Sequence, residues 1–89
     1  MSTTPPPAVA PILLNPTDDV AVVGVDTGAG TRLTIAGITV TTASDIPSGH
    51  KVALRAIAAD APVRKYGEII GYATMAIAPG DHVHVDNLE

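Results

Sequence analysis

Short runs of alternating apolar and polar residues, separated by Gly, Pro and Asp, recur along this 89-residue chain. Residues 31–36 alternate Leu33 and Ile35 with threonine and arginine, and residues 38–42 repeat the alternation after one glycine. A period of two is typical of half-buried strands, and the intervening glycine predicts a hairpin. Residues 20–25 are apolar at nearly every position and predict a further strand.

A second pattern consists of an isoleucine, a short turn, and a valine six positions after the isoleucine. It occurs three times, beginning at Ile46, Ile57 and Ile77. Each copy predicts an apolar side chain that enters a core, a tight turn, and a strand that returns to that core. One copy alone would be ordinary hairpin sequence, but three copies within about forty residues predict a shared supersecondary unit whose uneven spacing excludes a solenoid.

The composition indicates which residues build the core. The chain is 46% hydrophobic, yet it has no Phe, Trp or Cys, so Val, Ile, Leu and Ala must fill the interior. β-Branched side chains favour strands, and we therefore predict a small all-β domain with bent strands and short turns. Residues 68–77 leave two alternatives open, a strand or one short helix, because alanine and methionine occur there.

The first residues differ in composition from the rest. Residues 1–11 contain four prolines, which cannot donate a continuous ladder of backbone hydrogen bonds, so we expect a disordered or polyproline-like arm. Residues 12–14 are apolar and predict a short strand. The expected organisation is an arm over residues 1–11 and one folded domain over residues 12–89.

Several function classes are disfavoured by charge and composition. The net charge of −4 and the two aromatic residues argue against nucleic-acid binding. No apolar run approaches the roughly 20 residues of a membrane span, and the N-terminus lacks a secretory signal pattern. We expect a cytoplasmic protein. Residues 26–30 form a glycine loop, but no P-loop lysine follows, so phosphate binding there is disfavoured.

The spacing of His82, His84 and Asp86 is the strongest local signal for chemistry. On a strand, residues at a spacing of two share a face, so these groups could bind a divalent metal or set a general acid/base beside a carboxylate. The alternative is an exposed face with two solvated histidines. A zinc site normally needs three or four ligands, so a metal here would also require His50, a carboxylate or another chain.

A second candidate group combines His50 and Lys51 with Lys65 and Tyr66. If they converge on one pocket, a lysine could hold a substrate carboxylate while tyrosine and histidine donate hydrogen bonds or transfer protons. The alternative is that the lysines are solvated residues of edge strands, where they protect against aggregation. The sequence has no Ser–His–Asp order and no Cys nucleophile, so nucleophilic hydrolysis has no support.

Four motifs in order resemble the SAF-type N-terminal domain of the altronate/galactarate dehydratase family, a group that also includes the small subunit of sulfolactate sulfo-lyase. They are Gly-His-Lys-Val-Ala-Leu at residues 49–54, Lys-Tyr-Gly at 65–67, Ile-Gly-Tyr-Ala at 70–73 and Gly-Asp-His-Val-His-Val-Asp-Asn at 80–87. The similarity covers about residues 12–88. It implies a β-clip fold and a role in lyases that eliminate water or sulfite from polyhydroxylated or sulfonated acids, in many cases with a divalent metal such as iron.

The resemblance implies a small subunit or N-terminal domain of a sugar-acid dehydratase that docks on a larger catalytic chain. A divalent metal would be bound mainly by that larger chain. His50, His82 and His84 would then be catalytic, and Lys51, Lys65 and Tyr66 would bind the sugar acid. His82, His84 and Asp86 are the metal candidates. A sulfolactate sulfo-lyase subunit and a non-catalytic binding or assembly module are the alternatives.

Two departures from the family pattern leave questions open. The full-length dehydratases carry a large C-terminal domain that this sequence lacks, so a natural small subunit and an excised domain are both open. Asp86 stands where the family pattern often has another histidine, which puts that position's role in doubt. A homodimer or trimer through an exposed strand edge is also expected for so small a domain.

Overall fold

A computed structural model describes residues 18–35 and 37–89, so the expected arm at residues 1–11 and the strand at 12–14 lie outside the described residues. The described residues form seven strands: β1 (Val20–Val22), β2 (Arg32–Ile35), β3 (Ile38–Thr41), β4 (Lys51–Ala53), β5 (Pro62–Lys65), β6 (Glu68–Tyr72) and β7 (His82–Val83). This confirms the all-β prediction. The described part of the chain also contains no helix with the length and apolarity needed to cross a bilayer.

A three-stranded antiparallel sheet forms the centre of the domain, in the order β1-β4-β7. Strand β4 pairs with β1 through Ala21↔Val52 and with β7 through Lys51↔Val83. The remaining strands form two antiparallel hairpins, β2–β3 and β5–β6. The predicted hairpin over residues 31–42 is thereby confirmed for the described residues.

Each face of the central sheet is covered by one hairpin, and each face has its own apolar core. Ala21 and Val52 belong to the core shared with β2–β3, whereas Val20 and Ala53 belong to the core shared with β5–β6. Consecutive residues of β1 and β4 are therefore buried on opposite faces. A strand buried on both faces requires an almost continuous apolar run, which explains the pattern at the start of residues 20–25, although the predicted strand ends at Val22.

The isoleucine–turn–valine units meet in pairs across the fold. Ile57 and Ile77 exchange backbone hydrogen bonds of 2.8 Å each. Ile46 does the same with Thr27, at 2.7 and 2.9 Å. Thr27 therefore begins a fourth unit, which the sequence pattern missed because threonine replaces isoleucine. The signal that could have found it is Leu33, an apolar residue six positions later. The fold consists of two similar halves, one from β1 to Ile46 and one from β4 to Ile77.

Positive φ angles occur once in each of the four turns. Gly30, Gly49 and Gly80 have φ of 80°, 84° and 89°, and the turn after Ile57 has Asp60 at φ 68°. The left-handed region is costly for a residue with a Cβ, although Asp tolerates it better than most. Asp60 is therefore the one strained position of this set.

We expect Asp60→Gly to raise the free energy of unfolding by about 0.5–1 kcal/mol, because relief of the left-handed strain exceeds the extra entropy of the unfolded glycine. Urea unfolding followed by circular dichroism measures the change. Gly49→Asp, the reverse substitution at the equivalent position, should lower stability. A loss of stability in Asp60→Gly would contradict this interpretation of the turn.

Residues 68–77 settle the open alternative between a strand and a short helix. β6 (Glu68–Tyr72) confirms the strand over the first five residues, whereas Ala73 and Ile77 contribute only isolated bridges to other segments. The predicted strand through residues 82–86 ends at Val83, and Val85 is 82% exposed instead of packing inward. After Tyr72 the chain bonds to distant segments, whereas after Val83 the local bonds of Asn87 to His82 and His84 end the alternation.

Candidate functional site

The antiparallel pairing of β4 with β7 brings three histidines together. The register places Val52 opposite His82 and Lys51 opposite Val83, and one further step places His84 opposite His50. His82 and His84 then share a face of the sheet with His50. This histidine cluster joins residues that are 32 positions apart in the chain.

The three imidazole rings are in direct contact. The Nδ1 atom of His50 lies 2.7 Å from Nε2 of His82, a hydrogen bond in which one ring donates and the other accepts. The rings of His50 and His84 stack with centroids 4.0 Å apart and an interplanar angle of 15°. All three residues are half-buried, so the cluster is accessible from solvent.

Asn87 fixes the backbone on which two of these histidines lie. Its side-chain amide donates to the carbonyl oxygen of His82 at 2.7 Å, and its side-chain oxygen accepts from the backbone N–H of His84 at 2.9 Å. The side chain is buried, with a relative exposure of 8% for the residue. These bonds bend the chain after Val83, which explains why the strand ends there.

The environment favours the neutral form of His50. Partial burial lowers the pKa of His50 below its ordinary value of 6.5, and the neighbouring His84, His82 and Lys51 lower it further. A neutral imidazole at neutral pH can accept a proton or bind a metal, whereas the protonated ring can do neither. The cluster therefore supplies a basic nitrogen under physiological conditions.

The donor set of the cluster fits a divalent transition metal. One nitrogen from each ring lies within 4.8 Å of the others, and neutral imidazole is a common ligand for zinc and iron. Three protein ligands would leave positions for water or substrate. Because imidazole lone pairs lie in the ring plane, the stacked rings of His50 and His84 must rotate before both can bind one ion.

Lys51, Lys65 and Tyr66 form a separate group. Adjacent positions of a strand point to opposite faces, so Lys51 lies on the other face of the central sheet from His50. Partial burial, followed by the charge of Lys65, lowers the pKa of Lys51 below its ordinary value of 10.5. The Nζ atom of Lys65 lies 4.4 Å from the centre of the Tyr66 ring. Two lysines that repel each other favour an anion near them.

Tyr66 has a backbone conformation that is unusual for a bulky residue. It has φ 56° in the two-residue turn between β5 and β6, and Gly67 beside it has φ 75°. Such a turn requires positive φ at both positions, which most sequences meet with Asn-Gly or Gly-Gly. The buried carboxylate of Asp18 stabilises this turn by accepting the N–H of Tyr66 at 2.9 Å and the N–H of Gly67 at 2.8 Å.

We expect Asp18→Ala to lower the free energy of unfolding by about 1–3 kcal/mol, because it leaves the two part-buried N–H groups of Tyr66 and Gly67 without their charged acceptor. Urea unfolding measures the loss, and hydrogen exchange at the Tyr66 amide should accelerate. Asp86→Ala is the control, since Asp86 is exposed and its removal should change stability by less than about 0.5 kcal/mol. Equal stability of the two variants would show that Asp18 does not hold the turn.

The structure thus divides the predicted site residues into two groups and leaves one outside. His50, His82 and His84 form the histidine cluster, and Lys51, Lys65 and Tyr66 form the second group. Asp86 lies in the exposed turn after β7 and is not among the three clustered ligands. The supporting roles of Asp18 and Asn87 were not predicted from the sequence, although Asn87 belongs to the motif at residues 80–87.

Two clip-like halves around a short central sheet define a small SAF-type β domain. Residues 9–89 match the family described as the altronate/galactarate dehydratase SAF domain, and the chain belongs to that family. This confirms the resemblance drawn from the four motifs.

Three relatives illustrate the range of this similarity. The chain is 46% identical over 76 residues to altronate dehydratase of Escherichia coli, covering 85% of this chain and 15% of that protein. It is 43% identical over 74 residues to galactarate dehydratase (L-threo-forming) of the same organism, covering 81% and 14%. It is 48% identical over 44 residues to (2R)-sulfolactate sulfo-lyase subunit alpha of Chromohalobacter salexigens, covering 49% and 47%. The chain therefore spans only about a seventh of the dehydratases that it matches.

Proposed function

We propose that this chain is the SAF component of a sugar-acid hydro-lyase of the altronate/galactarate type, working in the cytoplasm at a site shared with a larger catalytic chain. The observation that carries the proposal is the convergence of His50, His82 and His84 in a member of this family. The dehydratase names of two relatives support a hydro-lyase. The name "subunit alpha" of a third supports a partner chain.

The proposed reaction is an elimination of water. A base removes the proton on the carbon next to the carboxylate, the C–O bond of the neighbouring hydroxyl breaks, and an acid protonates the departing hydroxyl. The neutral imidazole of His50 is suited to proton transfer, and His82 is hydrogen-bonded to it. We assign proton transfer in this chain to the histidine cluster.

The second group is suited to binding the sugar acid. Lys51 and Lys65 repel each other, so a carboxylate close to both would relieve that repulsion. The Tyr66 side chain is 50% exposed and can donate a hydrogen bond to a substrate oxygen. We assign carboxylate binding to the two lysines and hydroxyl recognition to Tyr66.

A divalent metal such as iron would be held mainly by the larger chain, with His82 and His84 as the candidate ligands from this one. When bound, such an ion polarises the leaving hydroxyl as a Lewis acid. Asp86 is a weaker candidate, because it lies in an exposed turn outside the cluster. In this proposal the cluster either completes the metal's ligand set or transfers protons beside it.

A second candidate function is a subunit of a sulfolactate sulfo-lyase. Two relatives with that name are 48% and 49% identical to this chain over their matched residues, and the match covers 47% and 70% of them. Loss of sulfite from a sulfonated acid is also an elimination next to a carboxylate, so the same proton-transfer groups would serve.

The experiment is an assay of the complex with the larger lyase chain of the same organism, with altronate, galactarate and sulfolactate offered separately. The proposal predicts a dehydrated keto acid from a sugar acid and no sulfite. If sulfolactate is the only acid that reacts and sulfite is released, the sulfo-lyase function replaces the proposed dehydratase function. If a stable complex forms but turns over none of the three acids, the chain is a non-catalytic assembly module.

A further inference from the structure

The two halves of the fold differ in the residues that their hairpins expose. In β2–β3 the register pairs Thr34 with Thr39, and in β5–β6 it pairs Arg64 with Ile69. By the same comparison Thr41 of the first hairpin corresponds to Tyr72 of the second. Thr39 and Thr41 are exposed polar residues, whereas their counterparts Ile69 and Tyr72 are apolar and 46% and 52% exposed.

The second hairpin also contains an extra apolar residue. A register shift between Val63 and Arg64 leaves Ile70 as an additional residue of β6, and Ile70 is 38% exposed. The β2–β3 hairpin has four pairs in unbroken register. One unit of the fold thus presents threonines to solvent, while its counterpart presents isoleucines and a tyrosine.

These residues belong to a larger surface, which we term the apolar patch. It contains every large apolar side chain that is exposed in the described part of the chain: Tyr66, Ile69, Ile70, Tyr72, Met75 and Val85. Hydrogen bonds from Thr74 to the carbonyl oxygens of Asp86 and Asn87 join the loop of Met75 to the loop of Val85. The patch follows β6 and ends on these two joined loops.

The exposed area is large enough for an interface. From their fractional exposures the six side chains present on the order of 600 Å², the upper end for the largest apolar patch of a monomer. Two copies of this surface would together bury about 1,200 Å², the lower end of the range for specific protein interfaces. A domain of this size buries only a modest fraction of its surface and has little stability to spare. Burial of the exposed apolar side chains against a partner would therefore stabilise it.

The charges beside the patch have opposite signs at its two ends. Arg64 and Lys65 lie at the end where β5 turns into β6, and they outnumber the one acidic residue on these strands there, Glu68, which pairs with Lys65. Asp86 adjoins Val85 at the other end, and Glu89 is hydrogen-bonded to Tyr72 through two backbone bonds of 2.9 Å. A two-fold axis through the middle of the patch would bring the basic end of one copy to the acidic end of its partner. The patch is therefore self-complementary.

We propose that the apolar patch is the interface of a two-fold symmetric dimer of this chain. Both the area and the charge arrangement fit a second copy. The Val85 end of one copy, which adjoins His84, would then face the Tyr66 end of its partner, which adjoins Lys65. The dimer would bring together the two groups of candidate residues that lie on opposite faces of one chain. That consequence rests on the proposed function, whereas the dimer itself does not.

Analytical ultracentrifugation over a concentration series tests the dimer without any activity measurement. The wild-type chain should be dimeric, and Ile69→Thr/Tyr72→Thr, which installs the residues of the first hairpin, should be monomeric. Thr39→Ala on that first hairpin is the matched control and should remain dimeric. Circular dichroism melting of each variant establishes that it is folded.

A second test exchanges charges across the interface, so it does not depend on whether Ile69→Thr/Tyr72→Thr folds. Arg64→Glu should weaken the dimer at least tenfold by setting acid against acid, and adding Asp86→Arg should restore most of the loss. A wild-type chain that is monomeric at high concentration would overturn the proposal. So would a dimer that all of these variants leave intact, or a patch that binds only the larger lyase chain.

Discussion

Replacing His82 with alanine is expected to lower kcat/KM of the lyase complex by about 10² to 10⁴, the range that a positioned acid/base or metal ligand contributes. The reason is geometric: His82 is the only ring hydrogen-bonded to His50 among the described residues, at 2.7 Å. Its backbone oxygen would still accept the amide of Asn87, so the turn should survive. A steady-state assay of the complex measures the loss.

Thr34→Ala is the control for this prediction, since Thr34 is exposed on the first hairpin and far in sequence from both groups. Its activity should match the wild type. The metal content of the His82→Ala complex separates the two roles, because loss of a ligand lowers the content and loss of a base does not. Activity within twofold of wild type would remove the histidine cluster from the proposed site.

Gly80→Ala should have the largest effect on stability. A Cβ at this position would overlap the carbonyl oxygen of Thr41, and the residue has φ 89°. Gly80 also joins the two halves, since its N–H donates to Ala53 at 2.8 Å and its oxygen accepts from Ala43 at 3.0 Å. Relieving the overlap must displace backbone, so we expect a loss of about 3 kcal/mol or more.

A loss of that size is a large fraction of the stability of a small domain, so Gly80→Ala should lower the Tm by about 12–24 °C. Thermal unfolding followed by circular dichroism measures it. The matched control is Gly30→Ala, because Gly30 has φ 80° but a Cβ there would meet no atom within 4 Å. That control should lose only about 1–2 kcal/mol from the left-handed backbone. Equal losses in both variants would show that the close approach to Thr41 is unimportant.

Local patterns were sufficient to predict much of the fold. The alternation around Leu33 and Ile35 predicted the first hairpin, and the units at Ile46, Ile57 and Ile77 predicted three of the four bridged turns. These features depend on residues that are near one another in sequence. The four motifs then led to the family, which the comparison confirmed.

One contact between distant residues and one local side-chain bond account for two features that the sequence did not predict. No sequence pattern assigned a role to Asp18, yet it is buried against the backbone of Tyr66, 48 positions away. The strand through His84 ends early because the buried amide of Asn87 bonds the chain on both sides of Val83.

The arrangement of the candidate site was only half predictable. The spacing of His82 and His84 predicted that they share a face, but only the pairing of β4 with β7 brings His50 to them. The alternation of side chains along β4 places Lys51 on the other face. A sequence pattern identifies candidate chemistry, whereas strand register decides which groups meet.

The most direct test of the account is the turnover of altronate and galactarate by this chain and the larger lyase chain, measured separately and as a mixture. The account predicts that neither chain alone forms the dehydrated keto acid, that the mixture does, and that the His82→Ala mixture assembles but loses most of the activity. Full activity of the larger chain alone, unchanged when this chain is added, would contradict it.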